Sequence, residues 1–586
     1  MKIQRKFLTL LLGILLVFGL LVSGCPTDGI DEDEDDAGGK AAVPTITAQP
    51  ASGYYEVNGT APVLSVKAEV SDGGTLSYQW YKASSLTATG TPIEGAAAAT
   101  YQPADTEAGS YYYYVVITNT VTNKEPAERA SNPAVIKVVS SIADAFNTGG
   151  KALVFDADTE YQFVRGFGGM SNVWTSPDMT VKDIDTLFSP DGLGLNMFRI
   201  CVYPYMDDLF NGTEAGDASA GNRKTHSDYY QLVKRVNEYG GYVLASPWTP
   251  PAEFKDPPQR NGGSSLKPAF YGAYAQHLRD FCQRMLDNGA PIYAISIQNE
   301  PNWAATYDGC EWSPEQMRDF FKEVGHFTTL PTPITGYGGG KKTDYVLTMN
   351  GESANSPTIN DAALDDPVSK AAIDVLGRHI YGDRTTKYTK GLDMGYEVWM
   401  TEINTNSGNA TDYPQDSTWP LVWGFINDVH NCLHNNNESA FIHWYSKRFY
   451  GLIGDGQYTT ANGEPTYRGW ALAQYAKFAN ETTRIGLTAE GISINTSTTM
   501  GSELKVTAYR SEDGNSLSMV ILNPADQAVG DVEIKLPSGF TATSAYGMKT
   551  NNGSKGAAEP VYLNAAGNAG FINLPASTII SVKFTK

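Results

Sequence analysis

The chain has 586 residues, of which 18% are charged and 11% aromatic, and its formal net charge is −21. This length predicts three or four domains, because a single hydrophobic core stops growing beyond roughly 250–300 residues. The acidic balance and the lack of a basic patch in the sequence argue against a nucleic acid or an anionic membrane surface as a partner.

Residues 1–24 have the composition of an export signal. A basic start is followed by the apolar segment 7–22, which is too short to span a membrane comfortably. The signal ends in Leu21-Val22-Ser23-Gly24-Cys25, which resembles the bacterial lipobox, whose cysteine is lipidated and becomes the new N-terminus. We expect lipidation at Cys25 and a membrane-anchored protein of the outer membrane or cell surface. An ordinary cleaved signal peptide is the alternative.

A linker and a β-rich domain follow the signal. Residues 25–42 contain six consecutive acidic residues and predict a solvated linker, because blocks of like charge stay disordered. Residues 43–140 contain short alternating runs separated by turn signals, which predict a β-sandwich with Trp80 in its core. The run 105–114 resembles the tyrosine corner of immunoglobulin-like domains. We interpret this domain as a spacer, with glycan binding as the alternative.

Residues 150–476 alternate apolar strands with helical periodicity, which predicts a (β/α)₈ barrel. The eight candidate strands are Gly166–Met170, Leu195–Cys201, Tyr242–Ser246, Ile292–Gln298, Tyr345–Met349, Ala372–His379, Glu397–Thr401 and Ala440–Tyr445. Residues 477–586 return to strand-type alternation and predict a second, smaller β-sandwich.

Two glutamates stand where predicted barrel strands end. Glu300 follows the fourth strand within Ser296–Pro301, and Glu402 ends the seventh within Val398–Glu402. Barrel active sites form at the C-terminal ends of the strands. A pair of carboxylates at that face is what a retaining glycosidase requires, and their environments must then give them different pKa values.

Four motifs in this order resemble glycoside hydrolase family 30. They are Gly166–Gly169, Ala245–Pro251, Gln298–Pro301 and Trp399–Glu402. The resemblance implies a (β/α)₈ barrel with a β-sandwich fused to its side, joined by the segment 152–155 before the barrel begins. It implies Glu300 as the general acid/base, Glu402 as the nucleophile, and no metal or cofactor.

Two residues near the glutamates are candidates for contacts with a sugar. We expect Asn299, directly before the acid, to hydrogen-bond the sugar 2-hydroxyl, a contact that strengthens in the transition state. We expect Trp248 to offer an aromatic face beside the reacting sugar. A structural side chain at a strand end and a barrel-core residue are the respective alternatives.

The run after the eighth strand, His443–Ile453, resembles subfamily 8 of family 30, the glucuronoxylan endo-β-1,4-xylanases. In that subfamily a glucuronate branch is bound by residues that correspond here to Trp444, Arg448, Tyr450 and Ser407. The chain departs from the subfamily at Asn404, where a Tyr is usual, and at His443, where a Trp is usual.

Arg448 also has a physical argument of its own. A chain of net charge −21 repels an acidic polymer, so uronate recognition requires a fixed local cation, and the planar guanidinium matches a carboxylate. An ion pair with Asp455 is the alternative. We therefore expect an exported endoxylanase specific for glucuronate-bearing xylan. The alternatives are a hydrolase of unsubstituted xylan or β-1,6-glucan and a non-catalytic glycan-binding lipoprotein.

Overall fold

The computed structural model describes residues 39–141, 145–171, 179–205, 226–331, 345–405, 418–458 and 460–586. The predicted signal, the lipidation site Cys25 and the uronate-contact residue Ser407 lie outside the described residues. Within the described ranges, none of the helices combines the length and apolar character needed to cross a membrane.

The N-terminal region is rich in β-structure. Its strands are β1 (Thr45–Ala48), β2 (Ser52–Glu56), β3 (Leu64–Ser65), β4 (Lys67–Glu69), β5 (Thr75–Ala83), β6 (Thr91–Pro92), β7 (Thr100–Tyr101), β8 (Gly109–Thr120), β9 (Ala127–Ala130) and β10 (Ala134–Val139). As the sequence predicted, Trp80 is fully buried, and its indole N–H donates to the carbonyl of Ala98 at 2.9 Å. This bond satisfies the one polar group that the buried ring carries.

The central region is a parallel barrel, as the sequence predicted. Its strands are β12 (Gly166–Met170), β13 (Met197–Val202), β14 (Tyr242–Pro247), β17 (Ala294–Ser296), β18 (Leu347–Met349), β19 (Leu376–His379), β20 (Val398–Glu402) and β21 (Ala440–Tyr445), and a short hairpin of β15 (Lys255–Asp256) and β16 (Ser265–Leu266) extends one loop. The order in the sheet is β18-β17-β14-β13-β12-β21-β20-β19. Single bridges, Met349 to Val375 and Ser353 to Arg378, join the two ends of this sheet.

Helices pack around the barrel strands. They are α1 (Val181–Phe188), α2 (His226–Glu238), α3 (Tyr271–Asp287), α4 (Pro314–Val324), α5 (Asp361–Asp365), α6 (Pro367–Lys370), α7 (Thr389–Asp393), α8 (Trp419–His434) and α9 (Tyr467–Ala479). A capping box begins α1 and another begins α4, in which Ser313 and Gln316 satisfy each other's backbone N–H groups. The four described cysteines, Cys201, Cys282, Cys310 and Cys432, are buried and form no disulfide with one another, and the apolar context of Cys201 and Cys282 predicted their burial.

A C-terminal β-rich region packs beside the barrel. Its strands are β11 (Ala152–Val164), β22 (Thr482–Glu490), β23 (Lys505–Ser511), β24 (Ser516–Asn523), β25 (Gly530–Lys535), β26 (Ser544–Asn551), β27 (Ser554–Glu559), β28 (Tyr562–Leu563), β29 (Ala569–Leu574) and β30 (Thr578–Thr585). Strand β11 pairs with β22 and β25, so the chain contributes a strand to this region before it enters the barrel. The N-terminal region continues the same sheet, because β2 pairs with β28.

Close packing of neighbouring barrel strands depends on Gly168 in β12. A Cβ atom at this position would lie 1.8 Å from the backbone oxygen of Met197 in β13. Backbone cannot move out of the way as the end of a flexible side chain can, so the position accepts no side chain without a shift of the strands.

We expect Gly168→Ala to destabilise the fold by about 1–3 kcal/mol or more, because it overpacks a rigid contact. Gly272→Ala is the matched control, because a Cβ there meets nothing within 4 Å and alanine favours the helix by about 0.5–1 kcal/mol. Thermal unfolding of both variants measures the effect. Equal melting temperatures for the two variants would contradict the prediction.

Candidate active site

The two predicted catalytic glutamates meet at the C-terminal ends of the barrel strands. Glu300 follows β17 and Glu402 ends β20, and the residues are only 9% and 6% exposed. An oxygen of each and a ring nitrogen of His379 lie within 4.8 Å of one another. The structure therefore brings together two carboxylates that are about a hundred residues apart in the sequence.

The backbone of Glu300 has an unusual conformation. Its φ angle is 48°, in the left-handed region that residues other than glycine seldom adopt. The strain is held by two backbone hydrogen bonds, from the N–H of Glu300 to the carbonyl of Glu352 at 2.8 Å and from the N–H of Trp303 to the carbonyl of Glu300 at 3.0 Å. Such strain clusters at functional sites, where it directs a side chain.

Arg199 on β13 is the centre of the site. The side chain is completely buried and contacts both Glu402, at 2.6 Å, and Glu352, at 3.0 Å. It also donates to Oδ1 of Asn299 at 2.7 Å and to Oγ of Ser246 at 3.0 Å. One guanidinium thus connects side chains from or just after four other strands of the barrel and orients Glu402.

Each glutamate has a further partner. Tyr381 donates its hydroxyl hydrogen to Oε1 of Glu402 at 2.8 Å. Oε1 of Glu300 lies 3.0 Å from Nδ1 of His379, and Tyr307 donates to its Oε2 at 3.3 Å. The two carboxyl groups are therefore oriented by separate sets of donors.

Burial and neighbouring charges shift the pKa values of the site. Burial alone would lower the pKa of His379, but Glu402, Glu300 and Glu352 raise it to about 9. Burial raises the pKa of Glu300, yet contacts with His379, Arg199 and Tyr307 outweigh it and lower that pKa. Burial and the charge of Glu300 raise the pKa of Glu402 against His379, Arg199 and Tyr381.

The pKa of Glu300 is thus lowered and that of Glu402 raised, which is the reverse of the order that an acid at Glu300 and a nucleophile at Glu402 require. The main cause is His379, because its hydrogen bond and positive charge when protonated favour the ionised form of Glu300. Interacting carboxyl groups titrate as a pair. The raised pKa of His379 favours its protonated form, and Nδ1 of this ring lies 3.0 Å from Glu300.

Glu300, His379 and Glu402 also form the one group in the described part of the chain with spacing suited to a metal ion. Arg199 is already 2.6 Å from Glu402, and its charge would repel a second cation there. The arrangement therefore suits carboxylate chemistry better than metal binding.

The expected sugar contacts lie around this centre. Asn299 is buried, and its Oδ1 is taken by Arg199, which leaves Nδ2 to donate to a ligand. Trp248 is almost wholly buried within the barrel core, with its ring 5.9 Å from that of the half-buried Trp444. Trp248 therefore supports the wall of the site, and Trp444 presents more of its surface.

The segment after β21 carries the predicted uronate contacts. Arg448 is half-buried, with its guanidinium 5.8 Å from the ring centre of Phe449, and Tyr450 is buried beside Phe449. Asp455 accepts from the backbone of Gln457 at 3.0 Å, and no described residue donates to its Oδ2.

Sequence reasoning missed Arg199, Glu352, His379 and Tyr381. Two signals were present: an arginine inside the apolar strand β13, and polar residues at or just past the ends of β18 and β19. A charged residue in a buried strand is rare unless it is paired. Exposed aromatic residues Trp303 and Tyr307 follow Glu300 and were also missed.

The chain resembles known glycoside hydrolases in sequence. The profile described as the glycosyl hydrolase family 30 TIM-barrel domain matches residues 174–400. The chain is 26% identical over 437 residues to a protein named glucuronoxylanase XynC from Bacillus subtilis, covering 72% of this chain and 89% of that protein.

Two solved structures share the architecture. A glycoside hydrolase family 30 subfamily 8 xylanase from Clostridium acetobutylicum is 26% identical with a TM-score of 0.58, covering 74% of this chain and all of that one. A family 30 endoxylanase from Clostridium papyrosolvens has the same coverage, 23% identity and a TM-score of 0.57, which supports the fold alone.

We expect Arg199→Met to destabilise the protein by about 3–5 kcal/mol, because it leaves two buried carboxylates without their cation. Arg235→Met is the control, because Arg235 is 35% exposed and pairs with exposed acids, for which a loss of about 0–1 kcal/mol is typical. Calorimetric melting temperatures of both variants measure the effect. Equal shifts would show that Arg199 is not the electrostatic centre.

Proposed function

Because this chain is a glycoside hydrolase with the TIM barrel of family 30, we propose that it is a retaining endo-β-1,4-xylanase. Its substrate is glucuronoxylan, and a glucuronate branch sets where the xylan chain is cut. The observation that carries the proposal is the meeting of Glu300, Glu402 and His379 within 4.8 Å beside Arg199. Retaining enzymes hold their carboxyl groups about 5–5.5 Å apart, whereas inverting enzymes need about 6.5–9.5 Å to admit a water.

The first step transfers the sugar to the enzyme. Arg199 and Tyr381 donate to Glu402 and oppose the rise that burial causes in its pKa, and the ionised carboxylate of Glu402 attacks the anomeric carbon. The proton of His379 moves to Glu300 across 3.0 Å, and Glu300 passes it to the glycosidic oxygen as the bond to that oxygen breaks. A covalent sugar ester with Glu402 and a neutral His379 remain.

The second step releases the sugar. Glu300, again ionised, takes a proton from a water molecule, and the water oxygen attacks the anomeric carbon while Glu402 leaves as a carboxylate. The proton returns through Glu300 to His379, which restores the starting charges. Two inversions at the same carbon give net retention of configuration.

The uronate preference rests on the segment after β21. Arg448 is a fixed cation on a chain of net charge −21, and its planar guanidinium suits a carboxylate. Trp444 and Tyr450 flank it along the same segment. The named activities of the glucuronoxylanase and the subfamily 8 xylanase similar to this chain support the same substrate class.

We also propose that the enzyme is exported and anchored through a lipid on Cys25, on the strength of the lipobox-like Leu21–Cys25. The mass of the mature N-terminal peptide tests this, and a peptide that begins elsewhere or carries no lipid would refute it.

Glu402→Gln should nearly abolish turnover of every substrate, because it removes the nucleophile. Glu300→Gln should slow xylan hydrolysis by about 10²–10⁴-fold but spare formation of the sugar ester from a nitrophenyl xylobioside, whose leaving group needs no proton. Burst kinetics measure that step, and proton NMR of the first product reports retention. Substantial xylan hydrolysis by the Glu402 variant would remove the nucleophile assignment.

Arg448→Ala should lower kcat/KM on glucuronoxylan about ten- to a hundredfold, the effect of losing a charged hydrogen bond. Activity on linear xylo-oligosaccharides should change little. Arg318→Ala is the control for loss of a positive charge, because Arg318 pairs on the surface of α4. Equal losses on both substrates would leave Arg448 with a structural role only.

A further inference from the structure

We infer that Arg468 is a positioning residue for uronate recognition, and that it acts by fixing the loop after β21 against the loop after β20. The inference rests on the proposed function and names a residue that sets the selectivity of the same site. Arg468 lies on α9, is 1% exposed and contacts neither glutamate in the described hydrogen bonds.

The guanidinium of Arg468 connects the loop after β21 with the loop after β20, the two loops to which we assign uronate recognition. Nη1 donates to the carbonyl of Tyr450 at 2.9 Å, and Nη2 donates to the carbonyl of Thr405 at 2.7 Å. Tyr450 follows Arg448 by two residues, and Thr405 follows the nucleophile Glu402 by three. The planar group sets a fixed separation between the two carbonyls, because its two terminal nitrogens cannot move independently.

The Tyr450 carbonyl has a second buried partner. Nε2 of His443 lies 3.3 Å from the same oxygen, and because a carbonyl only accepts, Nε2 carries the hydrogen. Burial and the nearby charge of Arg468 lower the pKa of His443 to about 3, so the ring stays neutral. His443, one departure from the subfamily pattern, thus lies beneath the loop and supports it.

Other contacts fix the rest of this loop. Lys447 forms a buried ion pair with Asp183 of α1 at 2.8 Å, and Thr466 donates its hydroxyl to the carbonyl of Gly451 at 2.8 Å. Arg448 lies between these anchors, and its own backbone N–H donates to the carbonyl of Ile453 at 3.1 Å. The position of the uronate-binding cation therefore depends on a network in which Arg468 supplies the link to the nucleophile loop.

The described contacts that orient the two catalytic glutamates come from other residues. Glu402 is held by Arg199 and Tyr381, and Glu300 by His379 and Tyr307. Loss of Arg468 should consequently disturb recognition of the branch and leave bond cleavage in a linear chain largely intact.

The test compares Arg468→Gln, Arg448→Ala and the double variant on a glucuronate-branched xylo-oligosaccharide and on linear xylohexaose. We expect Arg468→Gln to raise KM for the branched substrate about tenfold, with kcat and the linear substrate changed less than about threefold. In the double variant the two effects should not add, because both act on one interaction. Arg468→Lys, which keeps the charge but not the fork, should recover part of the loss.

Gln474→Met is the matched control, because Gln474 lies on the same helix and makes a buried hydrogen bond to Thr550 at 2.8 Å away from both loops. Its selectivity should equal that of the wild type. Equal losses of Arg468→Gln on both substrates, or full additivity with Arg448→Ala, would overturn the positioning role alone. A wild-type enzyme without preference for the branched substrate would overturn the proposed uronate site and this inference together.

Discussion

A single buried cation, Arg199, determines the arrangement of the catalytic centre. Two carboxylates, Glu352 and Glu402, lie where water cannot solvate them, and burial of a charge is costly unless it is paired and hydrogen-bonded. The guanidinium forms an ion pair with both carboxylates and also donates a hydrogen bond to Asn299. Its contacts reach residues of four other strand ends, so they exist only when the parallel strands close into a barrel.

Two separate sets of side chains surround the two glutamates of this centre. Arg199 and Tyr381 donate hydrogen bonds to Glu402, and Nδ1 of His379 lies 3.0 Å from Glu300. Each carboxyl group is therefore oriented by its own partners. The left-handed backbone of Glu300 directs its side chain into this arrangement, at a cost that the backbone bonds to Glu352 and Trp303 offset.

The residues proposed for uronate recognition lie in a different part of the barrel from the two glutamates. The segment after β21 carries Arg448 and is held from beneath by His443 and Arg468. The remaining regions are joined to the barrel through strand pairing: β11 joins the C-terminal sheet before the barrel begins, and β2 extends that sheet into the N-terminal region.

The sequence by itself determined the eight barrel strands and the two glutamates. An apolar run is a local feature of the sequence, and Glu300 and Glu402 stand at or just after such runs. Hydrophobic periodicity and position were therefore enough to identify the strands and the two glutamates. Trp80 was recognised as a core residue for the same reason. Only the tertiary structure decided the partners: Arg199, Glu352 and His379 are distant in sequence from the groups they contact, and no local pattern reports such contacts. The structure likewise decided the pKa order of the glutamates, the burial of Trp248 and the supporting role of His443, because each depends on which side chains the closed barrel brings together.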